Sequence, residues 1–279
     1  MMEEKRKINN LELLKIEHKE LSIQFSLDGF SFCVYDLDLQ EFVAFYKYEF
    51  SKVKTPEQLL DAIKQLFVSE NNLRITYDKV KVIHHNNLIS FVPKVMFDEA
   101  NLSEYVSFNN KIYNNDFFAF DTIINQEMNA VYIPYVNINN FFIDQYGSFL
   151  YKHASSILVE KLLNQFSKSH ETTFFVNVNK TDFQIIISKN KKLLFFNSFQ
   201  YVTKEDFIYY ILFTMEQLKL NTEEIDLKLL GKISKEDALY QITYKYVRNV
   251  EILSNDFSFN KHVEIDNKII RENLSLFHF

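Results

Sequence analysis

One pattern occurs twice in this chain and limits what it can fold into. Leu21 to Phe50 reads as two apolar-rich strands meeting at Asp28-Gly29, followed by a third strand. Thr172 to Phe199 repeats the arrangement, with its turn at Asn179 to Asp182. Each triplet leads into a helix announced by a threonine: Thr55-Pro56-Glu57-Gln58 in the first, Thr203-Lys204-Glu205-Asp206 in the second. A threonine there accepts a hydrogen bond from an orphan N–H of the first turn, and the acidic or amide residue three positions on completes a capping box. The two sets stand roughly 150 residues apart, so the spacing predicts a duplicated architecture. Alternating strand triplets and helices exclude the all-α and all-β classes and leave α/β. At Asp28-Gly29 the dipeptide predicts a type I′ hairpin turn, with Gly29 at positive φ.

Glycine usage narrows the function classes. The chain has 3 glycines in 279 residues, where average usage of about 7% would supply roughly 20. Loops that cradle phosphate need glycine so that backbone N–H groups can approach the anion. There is no GxGxxG and no Walker loop. The net charge of -6 comes from acidic and basic residues mixed along the chain, without the Lys/Arg run of a nucleic-acid footprint. No stretch approaches the ~18 apolar residues of a membrane span, and the charged start MMEEKRKINN lacks a signal peptide's apolar core. Cys33 is the single cysteine, so an internal disulfide is excluded; flanked by Phe32 and Val34, it reads as a small buried hydrophobe. A reducing cytoplasm is the expected compartment, and no metal site is expected.

Taken in order, residues 1–20 read as a polar N-terminal arm, residues 21–147 as a first lobe and 148–279 as a second. No Pro/Gly/Ser-rich linker divides the lobes; Gly147 marks the expected boundary. After the first triplet, Leu59, Leu60, Ile63, Leu66 and Phe67 recur at helical spacing. Lys79 to His85 alternates as a strand does, which sends His84 and His85 to opposite faces and prevents joint chelation. Short strands are expected near Leu88–Val92, Phe117–Ile124 and Ala130–Pro134, and helices over Ile138–Tyr146 and Tyr151–Phe166. In the second lobe the spacing predicts a helix over Lys204–Lys219, a strand over Ile225–Gly231, a helix over Asp237–Val247 and a strand over Val250–Leu253. The tail from Ser254 ends apolar, at Leu274 to Phe279.

The arrangement resembles the actin-like ATPase superfamily, a duplicated ribonuclease H-like fold of two lobes, each a mixed sheet flanked by helices. More specifically, the chain resembles an uncharacterised family of Bacteroidetes proteins with an actin-like ATPase fold. The matching stretches are LSIQFSLDGFSFCVY, AVYIPYVNINNFF with the helix through His153, and NKTDFQIIISKNKKLLFFNSFQY, and the resemblance spans roughly Leu21 to Leu253. In that superfamily the first turn of each lobe binds phosphate, and a later strand ends in glycines that face adenosine. The resemblance thus implies a nucleotide cleft built from Asp28 and Gly29 of the first turn, Asn177, Asn179, Lys180 and Thr181 around the second, and Gly231 at the adenosine strand, with the two turns facing each other. Asp28 stands where the superfamily places an acid near the metal's water, and it is equally the residue a tight turn favours.

This chain departs from the pattern. Asn177, Asn179 and Lys180 stand where superfamily members carry an acid and glycines, and Gly231 is followed by Lys232. The expectation is therefore a non-catalytic binding or scaffold protein with a degenerate cleft, no cofactor and a protein partner. Pilus- and secretion-assembly members of the superfamily hold partner peptides on this fold. The alternative is a divergent ATPase or sugar-kinase-like enzyme binding ATP-Mg in the cleft.

Overall fold

In this computed structural model the strand triplets and their helices form as the hydrophobic pattern requires. The structure describes residues 2–9, 13–167, 170–253, 260–261 and 265–279. Parts of the expected arm (1 and 10–12) and of the tail (254–259 and 262–264) lie outside the described residues. Two compact units are formed. The first comprises 1–158, 257–266 and 275–279, and the second 159–256 and 267–274.

The first unit opens with β1 (Met2–Asn9), β2 (Lys19–Ser26), β3 (Gly29–Asp36), β4 (Glu41–Phe50) and α1 (Pro56–Ser69). It continues through β5 (Lys79–His84), β6 (Ile89–Pro93), α2 (Leu102–Ser107), β7 (Ala119–Ile123), β8 (Met128–Tyr132), α3 (Val136–Tyr146) and β9 (Leu150–His153), and α4 (Ala154–Lys161) begins in it and ends in the second unit's segment. The second unit holds β10 (Thr172–Val178), β11 (Asp182–Lys189), β12 (Lys192–Gln200), α5 (Lys204–Gln217), β13 (Asp226–Gly231), α6 (Ala238–Tyr246) and β14 (Asn249–Ile252). The chain then supplies β15 (Asn260–Lys261) and α8 (Leu274–Phe277), with α7 (Asn267–Glu272) between them.

The duplication is explicit in strand order. Within the first sheet the path β4-β3-β2-β5-β9 matches β12-β11-β10-β13-β14 in the second. In both, the triplet is antiparallel and the next two strands join in parallel. The first sheet has two additions on β4: β1 pairs antiparallel, with Met2 opposite Phe50, and β15 pairs parallel at Glu41 and Phe42. Met2–Asn9, in the stretch read as a polar arm, is thus a strand. A separate three-stranded sheet, β6-β8-β7, is inserted between β5 and α3 and rests with α2 on Val92, Val106, Val131 and Ile133.

Side-chain alternation decides which faces are buried. Leu21, Ile23 and Phe25 of β2 join Phe32 and Tyr46 under the apolar stripe of α1 (Leu59, Ile63, Leu66, Phe67) and Phe142 of α3. The rings of Phe32 and Tyr46 stack at 4.3 Å. On the first sheet, Phe42 and Phe45 meet Phe277 of α8 at 4.9 and 5.7 Å, and Cys33 is buried, its Sγ 3.9 Å from the Leu276 carbonyl. In the second unit Phe174, Val176, Phe183 and Ile185 pack under Phe207, Ile211 and Met215 of α5 and Tyr240 of α6.

The caps form where expected. Thr203 Oγ1 accepts from Asp206 N at 3.1 Å, and Asp206 returns an acceptor to Thr203 N at 2.9 Å. Thr55 Oγ1 accepts from Gln58 N, but Gln58 Oε1 accepts from Lys54 N rather than from the cap residue. One expected element changes type. Of the helix read over Tyr151–Phe166, residues 151–153 belong to β9, α4 starts at Ala154, and a π turn follows at Leu162–Phe166. Parallel pairing of β9 with β5 (His84 opposite His153) overrides the helical periodicity there.

Candidate functional site

The expected site residues fall on both units, and each group is described on its own unit. In the first unit the β2–β3 hairpin forms, but its two turn positions are Leu27 and Asp28, between paired Ser26 and Gly29. Neither turn residue has positive φ, and neither has Gly29. The type I′ expectation is therefore corrected: glycine is needed at 29 because a Cβ would lie 2.5 Å from the Tyr48 carbonyl oxygen on β4. Asp28 is half-buried and knitted into the sheet. Its N–H donates to Ser26 Oγ at 3.2 Å, and its carbonyl accepts from Phe50 N at 2.9 Å.

In the second unit Asn177, Asn179, Lys180, Thr181 and Gly231 come together at the carboxyl ends of β10 and β13, where Val178 is opposite Gly231. Ligands of open α/β sheets bind outside such strand ends. Here much of the polar chemistry turns inward. Asn179 N donates to the Asp182 carbonyl at 2.9 Å, and Asn179 Nδ2 donates to Asp182 Oδ1 at 2.6 Å. The Tyr201 hydroxyl donates to the Asn179 carbonyl at 2.9 Å, and Asn177 Nδ2 donates to Gln184 Oε1 at 3.2 Å. The side chains of Lys180 and Thr181 are exposed at the tip.

Gly231 has φ of +83°, and a Cβ on it would meet the Val178 carbonyl oxygen at 2.3 Å and Asn177 Oδ1 at 2.8 Å. Lys232 N donates to that same Val178 carbonyl at 2.8 Å. The glycine lets β13 close over the end of β10, so strand packing accounts for it without a ligand.

A second polar cluster, spread across the sequence, lies in the first unit. His84 and His153 end the parallel strands β5 and β9, and both are fully buried. Tyr135 N donates to His84 Nδ1 at 3.3 Å, which leaves the proton on Nε2, 2.9 Å from Asn139 Oδ1. Burial lowers the His84 pKa to about 4, against a smaller upward pull from Asn139. His153 Nδ1 accepts from Ser155 N at 3.1 Å, and burial holds this ring well below the usual histidine range. Asp121 of β7 accepts from His153 N at 2.9 Å and from the Tyr132 hydroxyl at 3.2 Å; burial raises its carboxyl.

His84, His153 and Asp121 are all buried, and among the described residues no group of three or more His, Cys, Asp or Glu could hold a metal ion. The cluster ties the small sheet to β9 through polar bonds made away from water. Only the His84-His85 pair is visible as a sequence signal. Asp121, His153 and Asn139 come from separate segments, and no local pattern marks them.

A family model matches residues 8–250, and its members are proteins of unknown function (DUF3822). The chain belongs to this family. A Bacteroides thetaiotaomicron protein described as having an actin-like ATPase fold and unknown function superimposes with a TM-score of 0.79 at 23% identity, covering 87% of this chain and 93% of that one. A chain of the PilM-PilN type IV pilus biogenesis complex gives 0.58 at 13% identity, covering 92% of this chain and 96% of that one. Both are likenesses of fold, and they agree with the repeated strand order: this DUF3822 member has the actin-like fold. No curated protein matches the chain. No described helix is long and apolar enough to cross a membrane.

Proposed function

We propose that this DUF3822 protein is a binding or scaffold protein on an actin-like fold whose nucleotide site is degenerate, with Asp28, Gly29, Asn177, Asn179, Lys180, Thr181 and Gly231 as its vestiges. One observation carries the reading. The Asn179–Thr181 turn has no glycine, and Asn179 is bonded back to Asp182 and held by Tyr201. A phosphate loop needs backbone N–H groups turned outward on a chain that a Cβ does not shield. Gly231 and Gly29 are both explained by close backbone contacts within their own units. The partner is a protein, and PilM, a fold relative, is found in a complex with PilN. Cytoplasmic location, and the absence of nucleic-acid binding and of a cofactor, belong to the same reading.

Titration with ATP-Mg by calorimetry tests it, alongside an assay of released phosphate. The expected outcome is no hydrolysis and no binding at about 1 mM or tighter. A dissociation constant in the micromolar range, or steady phosphate release, would overturn the reading in favour of a divergent ATPase or sugar-kinase-like enzyme.

A further inference from the structure

The inserted sheet ends in an apolar tip. Val95 is 93% exposed, Met96 68% and Ile124 56%. They share one end of the sheet because Pro93 and Ile123 both pair with Met128, and Lys94 N donates to the Glu127 carbonyl at 2.9 Å. The turn that carries Val95 and Met96 is fixed from below. The Tyr105 hydroxyl donates to the Met96 carbonyl at 2.7 Å and accepts from Asp98 N at 2.8 Å. Phe97 stacks on Tyr105 and packs against Phe120 at 4.9 Å. Two large apolar side chains are thus held in water on a preorganised turn, where they cost less ordering entropy on binding than a mobile loop would.

Within three residues of Val95, Met96 or Ile124 along the sequence, the exposed charged residues are Asp98, Glu99 and Glu127 against Lys94; the Asp98 carboxylate also accepts from Ala100 N at 3.0 Å and Asn101 Nδ2 at 2.7 Å. From this the geometry points to a protein-docking surface at the tip of the β6-β8-β7 sheet. Its occupant is a cationic amphipathic segment that lays apolar side chains on Val95, Met96 and Ile124 and lysines or arginines on the acidic rim. A second copy of the tip would bring acids against acids, and an anionic membrane surface would meet the same repulsion. The inference deepens the binding-protein reading and rests on it, but its test is independent of nucleotide.

The test uses the full chain and a fluorescent Leu/Lys peptide of about 18 residues, with leucines at helical spacing. Anisotropy should give micromolar binding that weakens with added salt. Val95→Ser with Met96→Ser should weaken it at least ~10-fold at unchanged melting temperature, because both side chains are solvent-exposed. Glu99→Gln with Glu127→Gln should weaken it about 3-fold or more and flatten the salt dependence. A Leu/Glu peptide should not bind. Three results would each overturn the inference: no binding by wild type up to about 1 mM, equal binding by wild type and both variants, or preference for phosphatidylcholine vesicles over the peptide. Concentration-dependent dimerisation abolished by Val95→Ser with Met96→Ser would also overturn it, assigning the tip to a second copy. Failure here with ATP still unbound leaves the degenerate-site reading standing, whereas ATP binding with an active tip removes only that reading.

Discussion

Replacing each of the three glycines by alanine separates two physical reasons for having glycine at all. Gly29 has ordinary φ but no room, since its Cβ would sit 2.5 Å from the Tyr48 carbonyl oxygen. Gly147, which closes α3, has φ of +74° and nothing within 4 Å of a Cβ. Gly231 combines both constraints, with φ of +83° and a carbonyl oxygen, that of Val178, standing where a Cβ would have to go. A non-glycine residue held at such φ costs roughly 1–3 kcal/mol. Pressing a methyl group into a packed backbone costs a further ~1–3 kcal/mol through displacement. Gly29→Ala and Gly147→Ala should therefore each lose about 1–3 kcal/mol, and Gly231→Ala about 2–6 kcal/mol, a large share of a typical stability. Urea titrations at constant m read these losses as shifts in midpoint. The refuting result is a Gly231→Ala loss no larger than that of either other variant. Contact and backbone strain would then not combine at Gly231, and its place at the end of β13 would need another reason.

Two further outcomes follow from buried groups. His84 ionises near pH 6.5 when unfolded and near 4 when folded, so the unfolded chain binds the extra proton and stability falls as pH drops through that window. The full effect is about 3 kcal/mol, from ~1.4 kcal/mol per pKa unit. Asp121, raised by burial, acts in the opposite sense, because its folded form holds the proton more tightly. His84→Gln should consequently be less stable at pH 7 but flatter than wild type between pH 6 and 4.5; parallel stability curves would contradict the neutral buried ring. Cys33, whose thiol burial pushes far up, should resist an aromatic disulfide reagent until denaturant is added. Labelling within seconds under native conditions would mean that the β3 face under Leu276 opens readily.

The alternating strands of Leu21–Phe50 and Thr172–Phe199, the threonine-capped helices after them and the resulting α/β duplication were all legible in the residues. They depend on hydrophobic period and on hydrogen bonds reaching three or four positions along the chain. The same locality explains what could not be read. Met2–Asn9 is polar in sequence and becomes a strand through its pairing with β4. Residues 151–153 continue a helical pattern, yet they join β5 in a parallel ladder. Asp28-Gly29 has the composition of one turn and sits in another, because the β4 backbone decides what fits at residue 29. For the candidate site, the residue types at Asn177–Thr181 and Gly231 were visible beforehand. That Asn179 and Tyr201 close the turn on itself was not. Nor could the sequence place His84, His153 and Asp121 in one dry cluster, because each is positioned by a different element of the fold. Local propensity thus chose the elements, while partners distant in sequence chose the register, the space beside each Cβ and the water left at each polar group.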